Sequence, residues 1–206
     1  MMMNKRIKSL AECSDDEMVD MISAEILGDE PVIDAVTQVV ANVTGAGGGD
    51  ALLKKRMSQY IAMLRGMQLW YHGAHHVTRG VGFPGDHVTL YGEFYNEITE
   101  EFDGAVEKAI GLTNDESVAD PLTVTKMAAQ MMCNYPSPSK CTSLSIASSA
   151  LEMENNYQQA LDSMFEELEH AGALTLGLDD FLMANANKHE GYIYKLQQRV
   201  KTELED

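Results

Sequence analysis

Histidine and carboxylate are the side chains of this sequence best suited to holding a divalent metal, and they gather in two places. The stretch HHVTRGVGFPGDH, His75 to His87, sets three of the chain's six histidines around a glycine-broken turn. Further on, Asp103 and Glu107 are spaced i and i+4, which projects both carboxylates from one helix face within reach of one ion. Imidazole and carboxylate together suit a divalent metal ion. On its own the acidic pair also describes a solvated helix face, because Glu93, Glu97, Glu100 and Glu101 share the helix. Distance adds a constraint. His87 and Asp103 are 16 residues apart, roughly 24 Å along a helix, so one chain's His87 does not meet its own Asp103. A metal shared by these residues requires two copies related by a two-fold axis, with His75 and His87 from one and Asp103 and Glu107 from the other.

A rival constellation lies within one chain. Glu167 and His170 form an ExxH, the spacing that di-iron bundles place on a helix, and with Glu97 or Glu190 and His189 they would make an intra-chain centre. Against it stands the ease with which ExxH arises in an acidic helical chain, and its position against the Ala171-Gly172 helix end. His72 and His76 flank His75 but cannot all face the same way, since neighbours on a helix diverge by about 100°. Trp70, Tyr71 and the methionines Met57, Met63 and Met67 read as core or interface packing.

The elements that must carry these residues are helical. Few β-branched runs alternate, prolines number only 5, and methionines number 14, a pattern of an all-α chain. Ser14 with Asp15, Asp16 and Glu17 predicts a helix over about 15–27 that Gly28 ends, and Pro31 opens a second to about 43. TGAGGGD, Thr44 to Asp50, then separates an N-terminal helical extension, residues 1–50, from a bundle domain, residues 51–206. Leu53, Met57, Tyr60, Ile61, Leu64 and Gln68 carry a long amphipathic helix to about 77. RGVGFPGD, Arg79 to Asp86, stops it. Phe94, Ile98, Phe102, Ala105, Ala109 and Leu112 then recur at steps of three and four, a core stripe. A connection of some thirty residues follows, too long to be structureless, and LTVTKMAAQMM within it predicts a short helix. Two more long helices, about 143–170 and 178–203, turn at Gly172 and Gly177. Four long helices with one long connection in the middle fit a ferritin-like bundle and other bundles alike.

Charge and cysteine usage narrow the partners. A chain of 206 residues with a formal charge of −17 repels nucleic acid and anionic membrane and attracts cations. Lys5, Arg6 and Lys8 are the only basic cluster near an end, and SDDE follows at once, so DNA binding is disfavoured. The start MMMNKRIKSLAEC has no apolar core of a leader, and no run is long enough to span a bilayer. Cys13, Cys133 and Cys141 lack metal or redox spacing, which fits structural thiols in the reducing cytoplasm.

From His75 to Leu112, HHVTRGVGFPGDHVTLYGEFYNEITEEFDGAVEKAIGL resembles the Dps family of mini-ferritins. A histidine stands four residues before an Arg-Gly turn with a Phe in it, a second histidine comes twelve residues after the first, and EFYNEI and DGAVEKAIGL follow. CNYPSP, MENNYQQALDSMFEELEHAGALTLGLDDFL and KHEGYIYKL extend the likeness across about residues 52–203. The resemblance implies a ferritin-like four-helix bundle with a short helix in the crossover and a hollow homo-oligomeric shell of twelve. It also implies oxidation of Fe(II), preferentially with hydrogen peroxide, and storage of non-haem ferric iron. His75, His87, Asp103 and Glu107 fall on the family's inter-subunit iron site. Three departures stand out. The interval from His87 to Asp103 is one residue longer than is usual, which puts His87 in the turn before the helix or makes Asp86 its equivalent. His76 replaces a common aromatic and adds a second candidate ligand, and Tyr91 stands near a further acidic position. The altered ligand set keeps a second expectation open, an assembly protein without iron chemistry whose first 50 residues dock a partner or larger particle.

Overall fold

The computed structural model describes residues 48–204, and every regular element among them is helical. The helices expected over 15–27 and 31–43 lie outside the described residues. The described residues belong to one unit, which begins at Ala46.

Helix α1 (Gly48–Val77) is followed by a π-helical segment (Gly85–Gly92) that runs directly into α2 (Glu93–Thr113); α3 (Pro121–Met132), α4 (Ser143–His170) and α5 (Leu176–Leu204) complete the order. Local chemistry sets the ends. Asp120 accepts from the Thr123 N–H at 2.8 Å ahead of Pro121, and Thr142 accepts from the Ser145 N–H at 3.1 Å. Both are N-caps that satisfy a donor left over by the first turn. Asn114 closes α2 in the left-handed region at φ 50°, and Gly172 turns α4 toward α5 at φ 66°.

Two boundaries differ from the sequence reading. Only Thr78 to Gly82 is non-helical between α1 and the π segment, so Phe83 and Pro84 begin the next helical run instead of belonging to the stop. Proline suits a first turn because its fixed φ is helical and its missing N–H has no partner to lose there. Gly177 likewise lies inside α5, leaving Gly172 to make the turn.

Side-chain pairings give the helix directions. Tyr60 meets Glu101 while His75 meets His87, so α1 and α2 are antiparallel. Arg56 meets Glu167 while Tyr71 meets Glu154, so α1 and α4 are antiparallel as well. Lys108 donates to the Gly177 carbonyl and Lys195 to Glu93, which sets α5 antiparallel to α2. It follows that α2 and α4 point the same way, and the chain from Asn114 to Thr142 must travel the length of the bundle to join them. α3 lies in that crossover against α1, close enough at Gly66 that a Cβ there would come within 3.3 Å of the Ala128 carbonyl oxygen.

The core is continuous across the four long helices, with Met57, Ile61 and Leu64 of α1, Phe94 and Ile98 of α2, Ile146 and Leu161 of α4, and Leu178 and Leu196 of α5 all buried. Each such side chain contributes roughly 1.5–3 kcal/mol by leaving water. The α2 stripe departs from the expected one. Phe102 and Leu112 are only half-buried, and the position between Ile98 and Ala105 that faces inward is Glu101, 3% exposed. No helix among the described residues is long and apolar enough to cross a membrane.

Candidate functional site

His75 near the end of α1 and His87 in the π segment are brought together across the turn. Their rings stack at 3.8 Å and 17°, with Phe83 stacked on the far side of His87 at 4.9 Å. Each ring is tied to the other residue's backbone: His75 Nδ1 donates to the His87 carbonyl at 2.6 Å, and His87 Nδ1 donates to the His75 carbonyl at 2.8 Å. A carbonyl only accepts, so Nδ1 carries a hydrogen in both rings, and in the neutral ring the lone pair is the one on Nε2. Neither Nε2 takes a hydrogen-bond partner among the described residues. Anchoring through Nδ1 to a backbone carbonyl is how proteins orient imidazoles for metal binding. Gly92 makes the arrangement possible, because a Cβ at that position would fall 2.5 Å from the His87 carbonyl oxygen and 3.1 Å from His75 Nδ1.

The structure places His87 inside the π-helical segment, not in the preceding turn. Asp86 is buried, and both its oxygens accept from Arg199 of α5, with Nε at 2.8 Å from Oδ1 and Nη2 at 3.0 Å from Oδ2. Asp103 and Glu107 are exposed on α2. His76 is exposed and lies beside His72, one turn earlier, with the two Nε2 atoms 3.1 Å apart. Tyr91 is fully buried, its hydroxyl without a hydrogen-bond partner among the described residues.

A second constellation, of which the sequence reading named His189 and Glu97 but with other partners, fills the middle of the bundle. His189 of α5 donates from Nδ1 to Glu154 Oε2 of α4 at 2.5 Å and from Nε2 to Glu101 Oε2 of α2 at 3.1 Å. Tyr60 and Tyr157 donate to Glu101 Oε1 at 2.5 and 2.7 Å, and Tyr71 donates to Glu154 Oε1 at 2.5 Å. Asn185 donates to the Tyr60 hydroxyl at 3.1 Å, and Tyr157 stacks on the His189 ring at 3.8 Å. Tyr192 donates to Glu97 at the margin. Burial alone would lower the His189 pKa, but Glu154 and Glu101 outweigh it and hold the imidazole protonated to about 9. Burial pushes Glu101 up, while hydrogen bonds from His189 and the two tyrosines bring it below its ordinary value. Burial, then the neighbouring carboxylates, drive the Tyr60, Tyr71 and Tyr157 hydroxyls well up, so they remain donors.

This network does not suit a metal. His189 has both nitrogens engaged as donors, on opposite ring edges, so the two carboxylates face an imidazolium and not a common point from which three ligands converge. The signal for it was present in the spacing. Glu101 follows Ile98 by three and precedes Ala105 by four, and Asn185, His189, Tyr192 and Leu196 recur at four, three and four. The rival ExxH is not assembled into this interior. Glu167 pairs with Arg56 near the surface, which holds its carboxyl below the ordinary range, while His170 and Glu190 are exposed.

No family model, curated protein or solved structure matches the chain.

Proposed function

We propose that the chain is a Dps-like mini-ferritin that oxidises Fe(II) and retains ferric iron within a homo-oligomeric shell. Its substrate ion binds between two copies, His75 and His87 from one and Asp103 and Glu107 from the other. The observation that carries this reading is the reciprocal pair of Nδ1–carbonyl bonds, which leaves two stacked imidazoles with free Nε2 lone pairs at a half-buried edge. Exposed carboxylates on α2 supply the hard oxygen ligands that Fe(II) takes beside imidazole. Two antiparallel pairs joined by a single long crossover, with α2 and α4 parallel, is the connectivity of ferritin-like bundles.

The extra residue between His87 and Asp103 has a place in this reading. A π-helical turn takes up more residues than an α-turn for the same advance, and the π segment lies between the two sites. His87, not Asp86, is then the ligand, since Asp86 is occupied by Arg199. Peroxide accepts one electron from each of two Fe(II) ions, and with two protons leaves as water. The acidic surface, at −17 per chain, draws the cation toward the shell. Val81, Phe83 and Val88, all exposed around the histidine turn, give a second copy apolar surface to cover.

Anaerobic loading with Fe(II) followed by peroxide is expected to give the absorbance of ferric oxo species faster than buffer does. His75→Ala and Asp103→Ala should each return the rate to that of buffer. A wild-type rate equal to buffer, in a particle of twelve-subunit mass, would instead make this an assembly protein. A monomer would sink the shared site.

A further inference from the structure

We infer that His72 and His76 form a separate clamp on the outer face of α1 for a divalent ion of the later first-row transition metals, with Cu(II), Ni(II) and Zn(II) the class it takes. The two residues are one helical turn apart and both exposed. Their Nε2 atoms approach to 3.1 Å, with the rings at 4.6 Å between centroids. Imidazole nitrogens sit about 2.0–2.1 Å from such a metal. Two nitrogens 3.1 Å apart therefore subtend roughly 100° at an ion bound to both. That angle lies between the right angle of square-planar or octahedral sites and the tetrahedral value, so no ring has to move far to chelate.

The rings are held in this posture by their surroundings. His72 packs on Tyr95 at 4.9 Å, and His76 packs on the His75 ring at 5.0 Å. A helix fixes the backbone of both ligands in advance, which removes most of the ordering cost of a two-point site. Remaining positions on the ion are filled by water. In the ion's absence the two nitrogens lie within hydrogen-bond distance of one another, a contact that the metal replaces. His75 is assigned to the other site, its ring stacked on His87 and oriented by the His87 carbonyl. Among the described residues no group of three or more metal-ligating side chains forms, and imidazole alone favours the later metals over Mn(II) and Mg(II).

The clamp does not rest on the iron reading, and its test uses neither iron nor peroxide. Zn(II) is titrated calorimetrically into the full chain near neutral pH and in moderate salt, so that diffuse binding to the acidic surface is screened. His72→Ala and His76→Ala should each weaken one Zn(II) event by about tenfold or more, the least expected for loss of a direct ligand. The His75→Ala/His87→Ala double variant should keep that event. Cu(II) bound by that double variant should show nitrogen coupling from two imidazoles in its electron paramagnetic resonance spectrum. Alanine is the best helix former, and both positions are exposed, so circular dichroism should report unchanged helix content. Zn(II) binding by His72→Ala/His76→Ala equal to the wild type, or loss of all binding in His75→Ala/His87→Ala, would overturn the assignment.

Discussion

His189 stands between two carboxylates at the centre of the bundle, whereas His75 and His87 each lean on a backbone carbonyl at its edge. Both surroundings accept hydrogen bonds, but a carboxylate pair brings negative charge and a carbonyl does not. The first therefore fixes a doubly protonated ring, a cation that locks helices together. The second only orients the ring, leaving Nε2 without a hydrogen-bond partner among the described residues. One residue type thus serves as structural counter-ion at His189 and, in the proposed iron site, as ligand at His75 and His87.

The contrast is tested most severely at His189. His189→Leu leaves Glu101 and Glu154 buried without their cation, and urea unfolding should show a loss of about 3–5 kcal/mol. His75→Ala, at a half-buried edge, should remove iron oxidation with a much smaller change in that midpoint. A cost at His189 no larger than at His75 would mean that the interior charges are not the structural element.

Acidity gives a second handle. The folded chain holds the His189 proton to about 9, above the ordinary 6.5, and the unfolded chain releases it earlier. The contribution is therefore complete below the ordinary value and lost as pH rises through the folded one, a decline on the order of 3 kcal/mol. Unfolding midpoints measured across that window should fall for the wild type and stay level in His189→Leu. Parallel slopes in the two proteins would assign the alkaline decline to other groups.

The smallest effects come from glycine. Gly92→Ala should cost about 1–3 kcal/mol, since the new Cβ forces apart the His87 carbonyl and the His75 ring, and it should slow iron oxidation with it. Gly111 in α2 has open space around a Cβ, so Gly111→Ala should stabilise by about 0.5–1 kcal/mol. Thermal denaturation distinguishes the two signs.

Much of the scaffold was legible because capping and period-3.6 signals are local. Thr142 and Ser143 open α4 where the cap chemistry indicates, and His170 closes it ahead of Ala171-Gly172. The turn after α1 was read too long because Phe83-Pro84-Gly85 looks like loop, while proline at a helix start is favourable. The π segment has no signature in residue type. Glu101 was missed for a physical reason: a stripe read through apolar residues alone jumps to Phe102, since a buried carboxylate is tolerable only with partners on other helices. Those partners, Tyr60, Tyr157 and His189, lie 41, 56 and 88 residues away. Pairing across such distances belongs to the tertiary fold and is invisible to a local window.

The interior network also bears on how the chain reaches its native state. Its charges are divided so that α2 and α4 each carry one carboxylate and α5, the last helix in the order, brings the only buried imidazolium that faces them. A packed intermediate of α1, α2 and α4 would have to dehydrate two carboxylates with nothing positive between them, a penalty of several kcal/mol for each ion. Packing of α5 supplies neutralisation, tyrosine donation and apolar burial to the same interior. Docking of α5 also brings Arg199 onto Asp86, beside His87. Of the described helices, α5 is the one that turns a set of mutually repelling parts into a single cooperative unit, and it secures the histidine turn as well.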